Sequence, residues 1–167
     1  MDRKTLEARV APLLAPIPGA SPAGENANYD PRHEDLRREV TKVESPTGGL
    51  PEWPRVAEGG VELLKGTTKD VLLACYVAWA WYEVEGLDGL AAGLRLLNGL
   101  IERYWEDGFP PVKRLRGRAN ALSWFIGRFE AASAGMQIGA KDRIAIALLG
   151  EYAPELARIV RDRFGDE

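Results

Sequence analysis

Apolar residues along this chain recur at intervals of three and four, and hardly anywhere at intervals of two. Leu90, Leu94, Leu97, Ile101 and Tyr104 follow a 4-3-4-3 spacing, which stacks them on one face of a helix. Val71, Cys75, Ala78, Trp79 and Tyr82 do the same one segment earlier. Alternating runs bounded by hairpin dipeptides, the mark of half-buried strands, are nearly absent. The pattern predicts helices over about 3–14, 32–44, 53–65, 68–85, 87–106, 118–134, 141–150 and 153–164. Thr67, with Asp70 three residues on, reads as the capping box of the fourth. Gly86 ends that helix, and Pro110-Pro111 ends the next. Residues 15–31, with four prolines and two glycines, and 45–52, "SPTGGLPE", read as irregular links between helices. The expected architecture is all-α: one domain over 1–167, a bundle of about seven or eight helices packed in antiparallel pairs.

Composition narrows this little. A chain of 167 residues with 46% hydrophobic and 28% charged residues is an ordinary globular one, long enough to bury a single core. A net charge of −3 selects no partner and argues against a dedicated nucleic-acid binder. Cys75 has no second cysteine to pair with, which fits a reducing compartment. The longest apolar run, "VLLACYVAWAWY", stops at Glu83, short of the ~18 residues a membrane span needs. The first twenty residues lack the apolar core of a signal peptide. The expectation is a cytoplasmic protein with no membrane insertion.

Candidate chemistry fails type by type. His33 is the one histidine, placed in the first turn of a charged helix, "RHEDLRREV", where it is expected at the surface. Cys75 lies on an apolar face and reads as a small buried filler, so no nucleophile–histidine pair is foreseen. Zinc needs about four Cys or His ligands, more than this chain holds. Asn26, Asn28 and Asp30 have the spacing that opens a calcium loop. The sixth position, however, is Pro31 rather than glycine, and the twelfth is Arg37 rather than glutamate. "KGTTKD" lacks the order of a phosphate-binding loop. No catalytic residue, cofactor or metal is expected.

Two features remain for partners. Lys113, Arg114, Arg116 and Arg118 crowd "KRLRGR" with no acid among them, which suits either an anionic partner or a solvated loop. No aromatic residue interleaves with them, which speaks against single-stranded nucleic acid. Trp79 and Trp81 point about 200° apart on their helix, so both cannot face one core. Trp79 is assigned to the core, and Trp81 is left between core and partner contact.

The order of short motifs adds a resemblance. "SPAGENANYDP", residues 21–31, resembles the S-P-x-G-E-x-x-x-Y-D-P signature of the ImpA N-terminal domain, the hallmark of TssA-type proteins of the bacterial type VI secretion system. "PEWPRV" looks like the family's P-[DE]-W segment. "GTTKDVLLACY" resembles its S-K-D-L helix, and "FPP" with "RANALSW" resembles its H-P-P turn and R-x-N-A-L-x-W helix. The likeness covers about residues 15–130; the helices of 135–167 match no motif. Asn26-Ala27 stands where the family often has Asp-Leu. Members are commonly longer, with an oligomerising C-terminal domain, so ring assembly does not carry over and self-association is left open.

The resemblance implies a non-enzymatic component that contacts baseplate, tube or sheath proteins and supports assembly of the contractile tail. Competing readings are a generic helical adaptor outside secretion and a small enzyme using a carboxylate as acid or base. Within the first signature, Gly24, Tyr29, Asp30 and Pro31 read as a structural clasp. Gly24 allows an unusual backbone, the Tyr29 ring packs, Asp30 caps the next helix and Pro31 opens it. Tyr29 is accordingly expected to matter more to stability than Tyr152. The loop's alternative is a partner-facing surface. For partner docking, Trp81 with Lys113, Arg114, Arg116 and Arg118 is the expected site.

Overall fold

The segment Val71–Glu85 (α4) is apolar on almost every side, ten of its residues being buried, and a helix of that kind must be enclosed by others. The computed structural model of the protein, which describes residues 1–165, encloses it. Six further α-helices complete the domain: Arg3–Leu14 (α1), Pro31–Val40 (α2), Trp53–Gly66 (α3), Leu87–Arg103 (α5), Leu115–Ser133 (α6) and Arg143–Phe164 (α7), with α3, α5 and α6 directly on α4. Three short 3-10 turns accompany them, at Thr41–Glu44, Val112–Arg114 and Ala140–Asp142. Among the described residues no strand forms, only two isolated bridges, so the all-α expectation holds.

Gly86 alone links α4 to α5, its φ of 66° turning the chain back at once, and the two helices form the central antiparallel hairpin. α3 and α6 pack on α4, α1 and α7 pack on α5, and α2 lies against α3. The expectation of antiparallel pairs holds for neighbours in sequence but not across the hairpin. Arg95 pairs with Glu7 and Arg103 donates to Leu14, so α1 and α5 run the same way. Asn98 contacts Tyr152, Arg158 pairs with Glu102 and Trp105 meets Phe164, so α7 also runs parallel to α5. Tyr76 with Trp124 and Trp79 with Phe125 set α6 parallel to α4. Long returns through 104–114 and 134–142 permit this; a short turn would force the antiparallel arrangement.

Several boundaries differ from the periodicity reading: α2 ends at Val40 rather than 44, the last turn being 3-10, and α5 ends at Arg103 rather than 106. α4 begins at Val71 with Asp70 as its N-cap, whose Oδ1 accepts from the Leu73 N–H at 2.9 Å; Thr67 instead closes α3. α6 starts at Leu115, three residues early. The two helices expected at 141–150 and 153–164 are one, with Pro154 inside. Pro154 and Gly150, the residue whose carbonyl the proline leaves unpaired, are both exposed, so water serves that carbonyl and the helix continues.

Candidate functional site

The link between α3 and α4, Thr67–Asp70, is where segments distant in sequence meet. Glu25 N–H donates to the Thr67 carbonyl at 2.8 Å, and Lys69 N–H donates to that of Ala23 at 2.8 Å. On the other side Phe109 N–H donates to the Lys69 carbonyl at 2.9 Å, and Val71 N–H to that of Phe109 at 2.8 Å. Gly24 is required for this close approach. Its φ is 74°, and a Cβ there would stand 2.1 Å from the Thr67 carbonyl oxygen.

Two buried cations complete the node by closing carbonyls left open at helix ends and in the turn after α5. The Lys69 ammonium, fully buried, donates to Leu13 O and Leu64 O at 2.6 Å each and so ties the C-terminal ends of α1 and α3 together. Burial, with the Arg103 guanidinium adding to it, pulls its pKa down to about 8. The Arg118 guanidinium, 1% exposed, donates to Pro110 O at 2.6 Å, Trp105 O at 2.8 Å and Gly108 O at 2.8 Å, and lies over the Trp105 ring. It thereby holds the turn that carries Phe109.

The residues singled out from sequence divide sharply. Gly24, Asp30 and Pro31 serve the loop: Asp30 Oδ1 accepts from Arg32 N–H at 2.9 Å, and Pro31 is the first residue of α2. Tyr29 does not. It is 88% exposed, because the loop is pinned by the backbone of Ala23–Glu25 and by buried Ala27, leaving the ring nothing to pack on. Tyr152 is the buried one, at 4%, so the expected order of the two tyrosines is reversed. Trp81 is 3% exposed and roofed by the Arg9 guanidinium, 4.0 Å from its ring centroid and itself paired to Glu85. It is therefore no exposed anchor. Arg118 leaves the cationic surface for the node.

Lys113, Arg114 and Arg116 remain exposed, on the 3-10 turn and the first turn of α6. Among the described residues none of the three makes an ion pair. Helix N-termini carry partial positive charge, so the dipole works against cations placed there.

His33 is also corrected. It is 1% exposed, with Nδ1 3.5 Å from the Arg37 guanidinium and Nε2 unpartnered. Burial lowers its pKa while Asp70 opposes the shift; burial likewise raises that of Asp70. Neither periodicity nor motif points to the burial of His33, since "RHEDLRREV" reads as a solvated face. Cys75 is fully buried and its thiol is pushed up by burial, which withholds the thiolate. Among the described residues no three His, Cys, Asp or Glu side chains gather as a metal site. No helix there is long and apolar enough to cross a membrane.

A family model described as ImpA, N-terminal, type VI secretion system matches residues 14–127, which takes in Ala23–Glu25, Thr67–Asp70, Phe109 and Arg118 of the node. The chain belongs to this family. It is 35% identical over 105 residues to the type VI secretion system component TssA1 of Pseudomonas aeruginosa; that alignment takes in 59% of this chain. The chain spans about 30% of that relative's length. Its fold is similar to the N-terminal domain, including the conserved ImpA N-terminal region, of the TssA component of the type VI secretion system from Burkholderia cenocepacia. The TM-score is 0.72, over 94% of this chain and 84% of that one, at 19% identity. A likeness over 94% of the chain extends past residue 127, where the family model stops, into the C-terminal helices.

Proposed function

We propose that this TssA-like domain is a non-enzymatic interaction module of a cytoplasmic component, one that contacts baseplate, tube or sheath proteins and supports assembly of the contractile tail. Residues 1–167 act in it as a single domain. The observation that carries the reading is a division of labour between motif residues and the cations beside them. Gly24, Lys69, Asp70 and Arg118 are consumed in holding the backbone together, while Lys113, Arg114 and Arg116 stand exposed at a helix end that gains nothing from their charge. Cations kept at a cost to the helix are available to an acidic partner surface.

Arg114→Glu combined with Arg116→Glu tests this. Pull-down of individually purified baseplate, tube and sheath proteins should lose one partner, with the helical circular dichroism spectrum unchanged. Raising the salt should mimic the loss, since exposed charges are screened over a Debye length of ~8 Å at physiological strength. Wild-type binding by the double variant at low and high salt alike would show these cations to be ordinary solvated charge.

A further inference from the structure

α6 lies on α4 and α7 lies on α5, and between the two outer helices the surface is left open as a groove of about 500 Å³. Leu94 of α5 lies in its floor; Ile126 and Phe129 line it from α6, and Ala153, Ala157 and Val160 from α7. The walls are wet: Ile126 is 42% and Phe129 38% exposed. On α7 the stripe extends by helical spacing to Ile146, itself 39% exposed, through Leu149. From Leu149 to Val160 the slot runs about 17 Å, three turns of a helix, and its two alanines leave room for a helix backbone to come close.

The free charge on the α7 rim is cationic. Arg161 lines the groove, and Arg143 stands eighteen residues earlier on the same helix, about five whole turns, hence on the same side. Both are exposed, and among the described residues neither is in an ion pair; the acids of α7 are engaged elsewhere, Glu151 with Arg3, Glu155 with Asn98, and Asp162, next to Arg161, with Arg158. The exposed Glu130 falls on the α6 rim opposite.

We propose that this groove docks an amphipathic helix of a partner protein, apolar at three-and-four spacing, with carboxylates along the edge that faces α7. The inference rests on the reading of the chain as an interaction domain. Helix-in-groove recognition uses this geometry of apolar anchors between two walls. A second copy fits poorly. Of the other large exposed apolar residues, Tyr29, Leu50, Val84 and Val112 are scattered on other segments, and Ile138 and Ile144 sit just before and at the start of α7, on too short a stretch to fill a slot of about three turns.

The probes are two synthetic helical peptides with the same leucine face, one edged with glutamate and one with lysine, titrated by fluorescence anisotropy against the full chain. The glutamate-edged peptide should bind saturably and about tenfold tighter than the other. Ala157→Glu, at an exposed alanine, should abolish that binding with the melting temperature unchanged, and Arg161→Glu should invert the preference between peptides. Equal, unsaturable binding of both peptides, or binding untouched by Ala157→Glu, overturns the proposal. So does a concentration-dependent dimer in sedimentation that Ala157→Glu dissolves, which would give the groove to a second copy.

Pull-down of purified baseplate, tube and sheath proteins by the same variant separates the two readings. A secretion partner lost with Ala157→Glu supports both. A partner that Ala157→Glu retains and the Arg114/Arg116 reversal loses overturns the groove and leaves the secretion role standing. Peptide binding at the groove with no secretion protein captured by wild type supports the groove and removes the secretion role.

Discussion

At the Thr67–Asp70 node, short polar and glycine-containing segments meet through backbone hydrogen bonds and two buried cations, whereas α7 docks on α5 mainly through apolar side chains. The two regions obey different rules of substitution. An apolar contact tolerates another side chain of similar volume, often for less than about 1.5 kcal/mol. A carbonyl closed by one guanidinium has no substitute donor when that residue goes, and an orphaned buried acceptor costs about 1–3 kcal/mol. The node is therefore written as motifs with fixed residue types, and α7 as a periodicity with interchangeable ones. In this chain the recognisable motifs mark where the backbone must be closed, and the exposed cations and the apolar groove lie outside them.

Arg118→Met puts the largest strain on this comparison. It removes the donor to three carbonyls at once, so urea unfolding should show a loss of about 5 kcal/mol, with methionine's similar length doing little to help. A loss under about 1 kcal/mol would mean the turn at Phe109 stands without it. On the α7 side, Tyr152→Ala should cost about 3–5 kcal/mol and Tyr29→Ala less than about 0.5 kcal/mol, because one ring is buried and the other is in water. Equal effects in paired melts would break the assignment of α7 to the core.

The smallest effect sharpens the picture of Lys69. Its folded pKa of about 8 lies below the unfolded value near 10.4, so between those pH values the unfolded chain holds the extra proton. The cost of burying the charge is full below about pH 8 and is relieved as pH rises through the window, so this group's contribution to stability grows with pH. The neutral amine still has N–H groups for both carbonyls. Between about pH 7.5 and pH 9.5 the wild type should gain about 2 kcal/mol relative to Lys69→Met in denaturant midpoints. Parallel curves would place the ammonium in contact with water.

What could be read without coordinates follows the same division. Periodicity found the helices and the burial of Trp79, because a stripe of apolar residues is a local property. Capping chemistry found Asp30 and Pro31 for the same reason. Lys69 and Arg118 were missed as buried groups, since a lone cation in sequence looks the same whether it faces water or orphaned carbonyls brought from far along the chain. Trp81 is ambiguous in sequence because its cover, Arg9, comes from a helix about seventy residues away. Tyr29 was misplaced because an aromatic ring in a clasp-like loop suggests packing, while backbone pairing at Gly24 had already fixed the loop.

The single-residue link at Gly86 bears on the order in which the chain assembles. The two most buried helices are neighbours in sequence with no loop to close, so their pairing costs little entropy, whereas α1 and α7 reach α5 only across long intervals. The hairpin is thus the natural nucleus, and the distant helices condense on it later. φ-values should be high for Leu97→Ala at the hairpin and low for Ile159→Val in α7; the reverse order would place the nucleus elsewhere. On that account a fault in α7 speeds unfolding, and a fault at the hairpin slows folding itself.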